Sequence, residues 1–450
     1  MRLPSYWYSH SLDIAARISF ALTIVLAPLR WRITLWARPI FPLYGDYTDF
    51  LLYASDITAI CMFLFWGGSL LLAPRKVSFG SAWIWVPLAG LTAAGFVSTL
   101  GSEDYMLSRY QSLRLVGFFL FYLFIVNEIE SPAWVVVPAG VQVVLQSAVG
   151  IGQSLLQRSL GLQTLGELTL DPAATGVSVI TADGVRLLRA YGLTDHPNIL
   201  GGCLAFGLLL LLSAILYGGG RWRGWAMLAF LPGLPALAMT FSRSAWIGFL
   251  IGGSFMVGME AVFHRWDSVK RAAWLGLSGV LLIAPFIWKN PHYFGVRTGI
   301  GLTEEAQKLA QYSFDERMYL IRSGNQIFVE HSAIGIGLGA SPLAMKNRFA
   351  DFPLNYQPPH YTLLTAAMET GVFGAAFYLL LMFLPWIVFL ARWRFFSAQP
   401  LLMGAFALLL AVTVVGFFDY YTWLNQAGRI WQWLGWGLWS AAYVKAVEHG

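Results

Sequence analysis

Arg189, Arg243, Arg317, His360 and Asp419 fall in segments that interrupt or bound the apolar runs of this sequence, and their types suit chemistry on an anionic substrate. Arginine keeps its charge at any working pH and makes bidentate, charge-assisted contacts to phosphate oxygens. Histidine titrates near about 6.5, so its neutral form accepts a proton under ordinary conditions. Brought to one face, Arg189 and Arg243 suit a pyrophosphate held at a membrane surface. His360 suits removal of a proton from an attacking hydroxyl. Together they fit displacement of a diphosphate leaving group by that hydroxyl. No His, Asp and Glu cluster has metal-ligand spacing, so arginine is expected to stabilise the leaving group, with no metal and no cofactor.

Each residue also has a plainer reading. Arg189 could pair with a lipid phosphate at the interface. Arg243 lies in the very short turn Thr240-Phe241-Ser242-Arg243-Ser244 and could snorkel from a helix end. An arginine near the bilayer centre costs roughly 2.5–3.5 kcal/mol, which makes an intramembrane charge a functional candidate by default. His360 could be an interfacial hydrogen-bonding group. Asp419, among belt aromatics in Asp419-Tyr420-Tyr421-Thr422-Trp423, either orients a neighbouring base or faces water.

The elements that must position these residues are membrane helices. The chain is 57% apolar and only 12% charged, about half the roughly 25% charge of a soluble domain. Its apolar runs reach the length of about 17–25 residues that spans a bilayer, and they are continuous rather than alternating, so they read as helices and not barrel strands. The fold class is therefore an all-α integral membrane protein, a single polytopic domain over 1–450. Twelve spans are expected, near 14–29, 51–73, 82–100, 112–127, 133–157, 197–217, 223–241, 243–262, 272–289, 361–390, 400–418 and 429–446. Cys61 and Cys203 both sit in apolar runs and imply neither disulfide nor metal site. The net charge of +6 comes from short basic clusters between spans, a topology signal rather than a nucleic-acid stripe.

Those clusters are Arg75 and Lys76, Arg221 and Arg223, Arg265, Lys270 and Arg271, and Arg392 and Arg394. Each follows an even-numbered span, so the positive-inside rule puts both termini in the cytoplasm. Arg30, Arg32 and Arg38 in the first outer loop vote the other way. The long connections, about 30–50, 158–196 and 290–360, all fall on the outer side, where function is then expected.

In the 158–196 loop, the β-branched runs Val177–Ile180 and Val185–Leu188 flank Asp183-Gly184 and predict a hairpin. It holds Arg189 just above the membrane and leads through His196-Pro197-Asn198 into the sixth span. In the 290–360 loop, Ser313-Phe314-Asp315-Glu316 reads as a capping box that starts an amphipathic helix running to about Glu330. Arg317 falls in its first turn, and Met318, Ile321 and Phe328 suggest that it lies along the membrane. Gly335-Ile336-Gly337-Leu338-Gly339 does not have dinucleotide-fingerprint spacing and reads as a flexible or tightly packed turn. Pro358 and Pro359 fix the start of the next helix and present His360 at its mouth.

Taken in order, Arg189-x-Tyr-Gly-x-x-x-His-Pro-Asn198, Thr240-Phe-Ser-Arg243-Ser-Ala-Trp, Glu316-Arg317, the Gly335–Gly339 run and His360-x-x-x-Leu-x-x-x-x-Glu369-x-Gly371 resemble the O-antigen ligase/polymerase family over roughly residues 180–375. The resemblance implies a GT-C-like, metal-independent glycosyltransferase of the bacterial inner membrane, in lipopolysaccharide biosynthesis. Such an enzyme transfers a glycan from undecaprenyl pyrophosphate to an acceptor hydroxyl, facing the periplasm. Carried over residue by residue, Arg189 and Arg243 bind the donor diphosphate and His360 is the base. The Glu369 helix positions His360, Arg317 is a supporting phosphate or glycan contact, and His196 belongs to the helix mouth beside Arg189. A ligase acts on a lipid A–core or similar glycolipid, a Wzy-type polymerase on a second lipid-linked repeat, and related oligosaccharyltransferases on protein hydroxyls. The expected partners are thus a lipid-linked donor, a glycolipid acceptor and membrane lipids, with no nucleic acid. The ligase reading is preferred for its moderate outer loops. A transporter or flippase of lipid-linked saccharides is the rival from another class. Gln142, Gln146 and Gln153 would be its polar track, although such residues also bind neighbouring helices. A purely structural assembly partner would leave the outer Arg and His residues replaceable.

Overall fold

The computed structural model describes residues 3–182, 184–299, 304–349, 352, 355–396 and 400–448. Asp183 of the expected hairpin turn lies outside them, as do residues 300–303, 350–351 and 353–354 of the expected late loop.

Helix dominates. α1 (Leu3–Leu26) is followed by strands β1 (Arg32–Trp36) and β2 (Phe50–Tyr53), then by α2 (Ala54–Leu72), α3 (Ala82–Ser98), α4 (Tyr105–Glu128) and α5 (Ala133–Leu156). Strands β3 (Val179–Ala182) and β4 (Val185–Leu188) precede α6 (Pro197–Tyr217), α7 (Gly220–Met239), α8 (Arg243–Val262) and α9 (Trp266–Lys289). The late region holds α10 (Pro291–Thr298), α11 (Glu304–Glu330) and α12 (Ser341–Arg348). The chain closes with α13 (Thr362–Phe396), α14 (Pro400–Gly416), α15 (Tyr421–Leu424) and α16 (Gln426–Glu448).

Among the described residues, nine helices are long and apolar enough to cross a membrane: α1 to α6, α8, α9 and α13. The other three expected spans coincide with α7, which opens on Arg221 and Arg223, with the shorter apolar α14, and with α16, which carries Arg429 and Lys445. Leu71, Leu228, Phe373 and Leu390 turn apolar side chains outward, as helices facing lipid do. α6 is the hub. It is apolar on every side, 89% of its span is buried, and α5, α7, α8 and α14 pack around it.

Three local readings need correction. α1 begins well before residue 14 and carries Asp13, because that carboxylate is paired with Arg75 at 2.9 Å, and Arg75 also meets Glu128 at 2.7 Å. The first outer loop is a β-ribbon: Arg32 pairs with Tyr53 and Thr34 with Leu51, antiparallel. Finally, Ser313 does not begin a helix. α11 is continuous from Glu304, since the preceding Glu, Ala, Gln, Lys and Leu residues are strong helix formers, and Gln311 bonds Asp315 one turn on at 2.9 Å. Arg317 is therefore mid-helix. The apolar face of α11, with Leu320 and Ile327 at its centre, is covered by α12 and the start of α13 through Met345, Leu364 and Met368.

The β3–β4 hairpin forms in the expected place, with Val179 opposite Leu188 and Ala182 opposite Val185. Its exit is held from below by α5. Gln146 Oε1 accepts from Leu193 N at 2.9 Å, and Gln153 Oε1 accepts from Gly192 N at 2.8 Å. Gln153 Nε2 in turn donates to Glu167 Oε1 at 2.8 Å. The glycine run after α11 is a tight turn laid against a break in α13. Gly371 has φ +67°, and a Cβ there would come within 2.5 Å of Ala333 O. Ile336 N and Gly337 N donate to the carbonyls of Met368 and Glu369 just before the break.

Candidate active site

Four segments meet at one end of the bundle: the exit of the β3–β4 hairpin, the α7–α8 turn, the start of α13 and the α14–α15 connection. The α7–α8 turn is the sharpest. Phe241, fully buried, takes φ +49°, a left-handed conformation that is costly for a bulky residue and persists only where its surroundings hold it. Packing against Phe294 at 4.7 Å between ring centroids holds it here. The turn directs two carbonyls at two arginines. Thr240 O accepts from Arg189 Nε at 2.7 Å, and Phe241 O accepts from Arg297 Nε at 2.6 Å. Both lie at the carbonyl-rich end of α7, where a cation is favoured.

Arg189 is buried, with three of its five N–H donors engaged. Besides Thr240 it donates to Ser178 Oγ at 2.8 Å and to Asn198 Oδ1 at 2.7 Å. Asn198 passes the connection on, its Nδ2 donating to Asp419 Oδ2 at 2.9 Å. The other carboxylate oxygen, Asp419 Oδ1, stands 3.6 Å from His360 Nδ1, an ion-pair distance just beyond hydrogen-bond length. Thr362 Oγ1 donates to Asp419 O at 2.8 Å, pinning the first turn of α13 to the same segment. The four positions Arg189, Asn198, Asp419 and His360 are thus physically continuous.

The protonation states follow from burial and charge. Burial alone would push the Asp419 carboxyl up. His360 first, then His196 and Arg317, reverse this and hold it at about 2. His196 caps α6, its Nδ1 accepting from Asn198 N at 3.1 Å. Burial, then the nearby Arg189, pushes it down to about 3. It is a neutral capping group and a poor base, which agrees with its reading as part of the helix mouth.

Arg189, Arg243, Arg297 and Arg317 form a cationic group. Burial and then the charge of Arg297 hold Arg189 well below the ordinary arginine range. Burial, then Arg243 and Arg317, lower Arg297 to about 10. Arginine does not surrender its proton, so these shifts reflect first the cost of burying the charges and then their gathering. Among the described residues none of the four makes an ion pair with a carboxylate, whereas Arg30, Arg32, Arg38, Arg75 and Arg114 all do. Arg243, exposed, also opens α8, whose unpaired backbone N–H groups favour an anion. Arg297 is the residue that the sequence pattern missed. It sits in a short helix with no local motif, and only the fold carries it to the α7–α8 turn.

Glu369 is fully buried and lies away from this charge. Its Oε1 accepts from Ser341 Oγ at 2.6 Å and its Oε2 from Trp423 Nε1 at 2.8 Å. It joins α12, α13 and α15, and so steadies the segment that carries Asp419 without reaching His360. No group of three metal-ligating side chains occurs among the described residues.

Residues 228–379, about a third of the chain, match the Wzy_C family model, described as O-antigen ligase. The matched segment contains Arg243, Arg297, Arg317, His360 and Glu369, while Arg189, Asn198 and Asp419 lie outside it. No curated protein matches the chain. Over that segment, which holds most of these residues, the chain is similar to the O-antigen ligase family.

Proposed function

We propose that this protein is a metal-independent glycosyltransferase of the ligase type, moving a glycan from undecaprenyl pyrophosphate to a hydroxyl of lipid A–core or a similar glycolipid. The observation that carries the reading is a group of four arginines without acidic partners among the described residues, one of which, Arg189, is joined through Asn198 and Asp419 to His360. Arg243, Arg297 and Arg317 bind the diphosphate oxygens. Arg189, with most of its donors engaged, adds charge and fixes the turn. Asp419 turns the Nδ1–H of His360 towards itself and leaves Nε2 free to act as base, a role for a second residue familiar from hydrolytic triads. A separation of 3.6 Å is compatible with this, because such contacts tighten when substrate binds.

In the transfer, the acceptor oxygen bonds to the anomeric carbon as that carbon's bond to the diphosphate oxygen breaks. The hydroxyl proton passes to His360 Nε2, and the electron pair leaves on the diphosphate, where the arginines stabilise it.

The site is placed at the periplasmic side of the inner membrane, with both termini in the cytoplasm. Charge supports this orientation. The outer arginines that oppose the positive-inside rule are neutralised by carboxylates: Arg30 by Asp195, Arg32 by Asp46 and Asp195, and Arg38 by Asp104 at 2.7 Å. Of the polar track that the flippase alternative needs, Gln146 and Gln153 hold the backbone around Gly192 through their Oε1 atoms, while Gln142 is buried with no hydrogen-bond partner among the described residues.

Purified protein, a synthetic undecaprenyl-pyrophosphate glycan and separate acceptors test this reading. Glycan on a lipid A–core acceptor in the presence of EDTA is the expected product. A ladder of lengthened lipid-linked glycans would mark a Wzy-type polymerase, and transfer only on adding Mg²⁺ would remove the arginine mechanism.

A further inference from the structure

Beside His360, and lined by none of the four arginines, a cavity of about 280 Å³ opens between the β1–β2 ribbon and the α14–α15 connection. Its size is just below the usual range of ligand pockets, roughly 300–1,000 Å³, and fits a sugar ring better than a lipid. The ribbon and its loop contribute Tyr44, Tyr47, Asp46 and Tyr53, and Gln111 and Gln357 face them. Tyr47 is anchored by its hydroxyl to that of Tyr420 at 2.9 Å, and the Tyr420 ring lies 5.1 Å from the His360 ring. The lining holds three carboxylates, Asp46, Asp195 and Asp419, and no lysine or arginine. Arg30 and Arg32 pair with Asp195, and Arg32 also with Asp46, but neither arginine lines the cavity.

We propose that this cavity is the acceptor subsite and that it selects an uncharged sugar ring, excluding rings that carry a phosphate or carboxylate. Tyrosine faces receive the C–H face of a pyranose, while carboxylates and side-chain amides bond its hydroxyls. An anionic sugar would be desolvated against Asp419 and against Asp46 and Asp195, whose arginines are already committed to them and do not line the cavity, and such like-charge juxtaposition is unfavourable. The division of labour is electrostatic: diphosphate on the arginine side of His360, neutral acceptor on the acidic side. The first outer ribbon, outside the segment matched by the family model, thereby acquires a role in specificity.

The inference rests on the glycosyl-transfer reading, but its test needs neither donor nor turnover. Full-length protein in nanodiscs is titrated with methyl glycosides of glucose, galactose, mannose and N-acetylglucosamine, and with the matched uronates, by saturation-transfer difference NMR. At least one neutral glycoside is expected to bind about tenfold more tightly than its uronate, a gap of about 1.4 kcal/mol. Tyr44→Ala, at an exposed position, should weaken that binding several-fold, and Gln357→Arg should reverse the charge preference. Equal binding of neutral and anionic partners, no saturation by any neutral glycoside, or unchanged binding in Tyr44→Ala would overturn the proposal. Any of these would leave the transfer reading standing, since that reading depends on turnover by His360.

Discussion

Asp419 stands between His360 and Asn198, 3.6 Å from Nδ1 of the first and 2.9 Å from Nδ2 of the second, so one buried carboxylate couples the candidate base to the arginine side of the site. Asn198 alone separates it from Arg189. A change on either side of Asp419 should therefore be felt on the other, and this coupling organises the expectations below.

Asp419→Asn removes the charge that orients His360 and places an amide against Asn198 and His360. The kcat should fall by much of the roughly 10²–10⁴-fold that a positioned base contributes, with donor KM nearly unchanged. The wild-type carboxyl sits at about 2, below its ordinary 3.8. Its contribution to stability is thus complete above about 3.8 and lost only as pH falls through about 2. Between pH 5 and 9 no activity limb should belong to Asp419. A limb in that range that disappears in Asp419→Asn while a His360 variant retains it would contradict the assignment.

The arginine group predicts a different signature. Arg243→Ala and Arg297→Ala should each raise donor KM by about 10- to 100-fold, the loss of one charge-assisted contact of roughly 1.5–3 kcal/mol. Thermal stability should hold in Arg243→Ala, whereas Arg297→Ala also leaves Phe241 O without its donor and should lower it modestly. Titration of the variants with a polyprenyl diphosphate, followed by melting, separates the two effects. Destabilisation without weaker donor binding would make these arginines structural.

His196 is held at about 3, below its ordinary 6.5. The unfolded chain binds a proton that the folded site refuses, so stability is full above about 6.5 and declines as pH falls from there towards about 3. His196→Asn retains a cap for α6. It should keep transfer within a few-fold of wild type while losing part of the acid-induced fall in melting temperature. A melting curve with unchanged pH dependence would exclude His196 as its source.

Glu369 is expected to act through structure. Glu369→Leu leaves the Ser341 hydroxyl and the Trp423 indole N–H without their buried acceptor, at roughly 1–3 kcal/mol for each donor. Gly371→Ala imposes a Cβ on a φ of +67° against Ala333 O. Both should lower the melting temperature and kcat together, with the pH profile of the residual activity unaltered. A shifted profile in either variant would place Glu369 nearer the proton transfer than the geometry does.

Much of this was legible in the sequence, for reasons that differ from residue to residue. The apolar runs marked the helices because a bilayer sets their length, and α6 and α8 begin and end where those runs do. Arg189 and Arg243 stood out because a charge beside a span has few cheap explanations. The β1–β2 ribbon was hidden because its strands are joined through a long irregular segment from Ala37 to Asp49, not by a two-residue turn. Arg297 and Asn198 were hidden for another reason. Arg297 has no local pattern, Asn198 closes the Arg189 motif with nothing to mark its contacts, and their partners, Phe241 O, Arg189 and Asp419, reach them only through tertiary packing. The Ser313 capping box misled because a valid cap sequence can lie inside a longer run of good helix formers.

The most direct test of the central claim is single-turnover transfer by His360→Ala, measured beside its affinity for the undecaprenyl-pyrophosphate glycan in the same nanodiscs. The account predicts donor affinity within about threefold of wild type, under about 0.7 kcal/mol, and transfer reduced by roughly 10²–10⁴-fold. Transfer at the wild-type rate with the donor bound normally would contradict it.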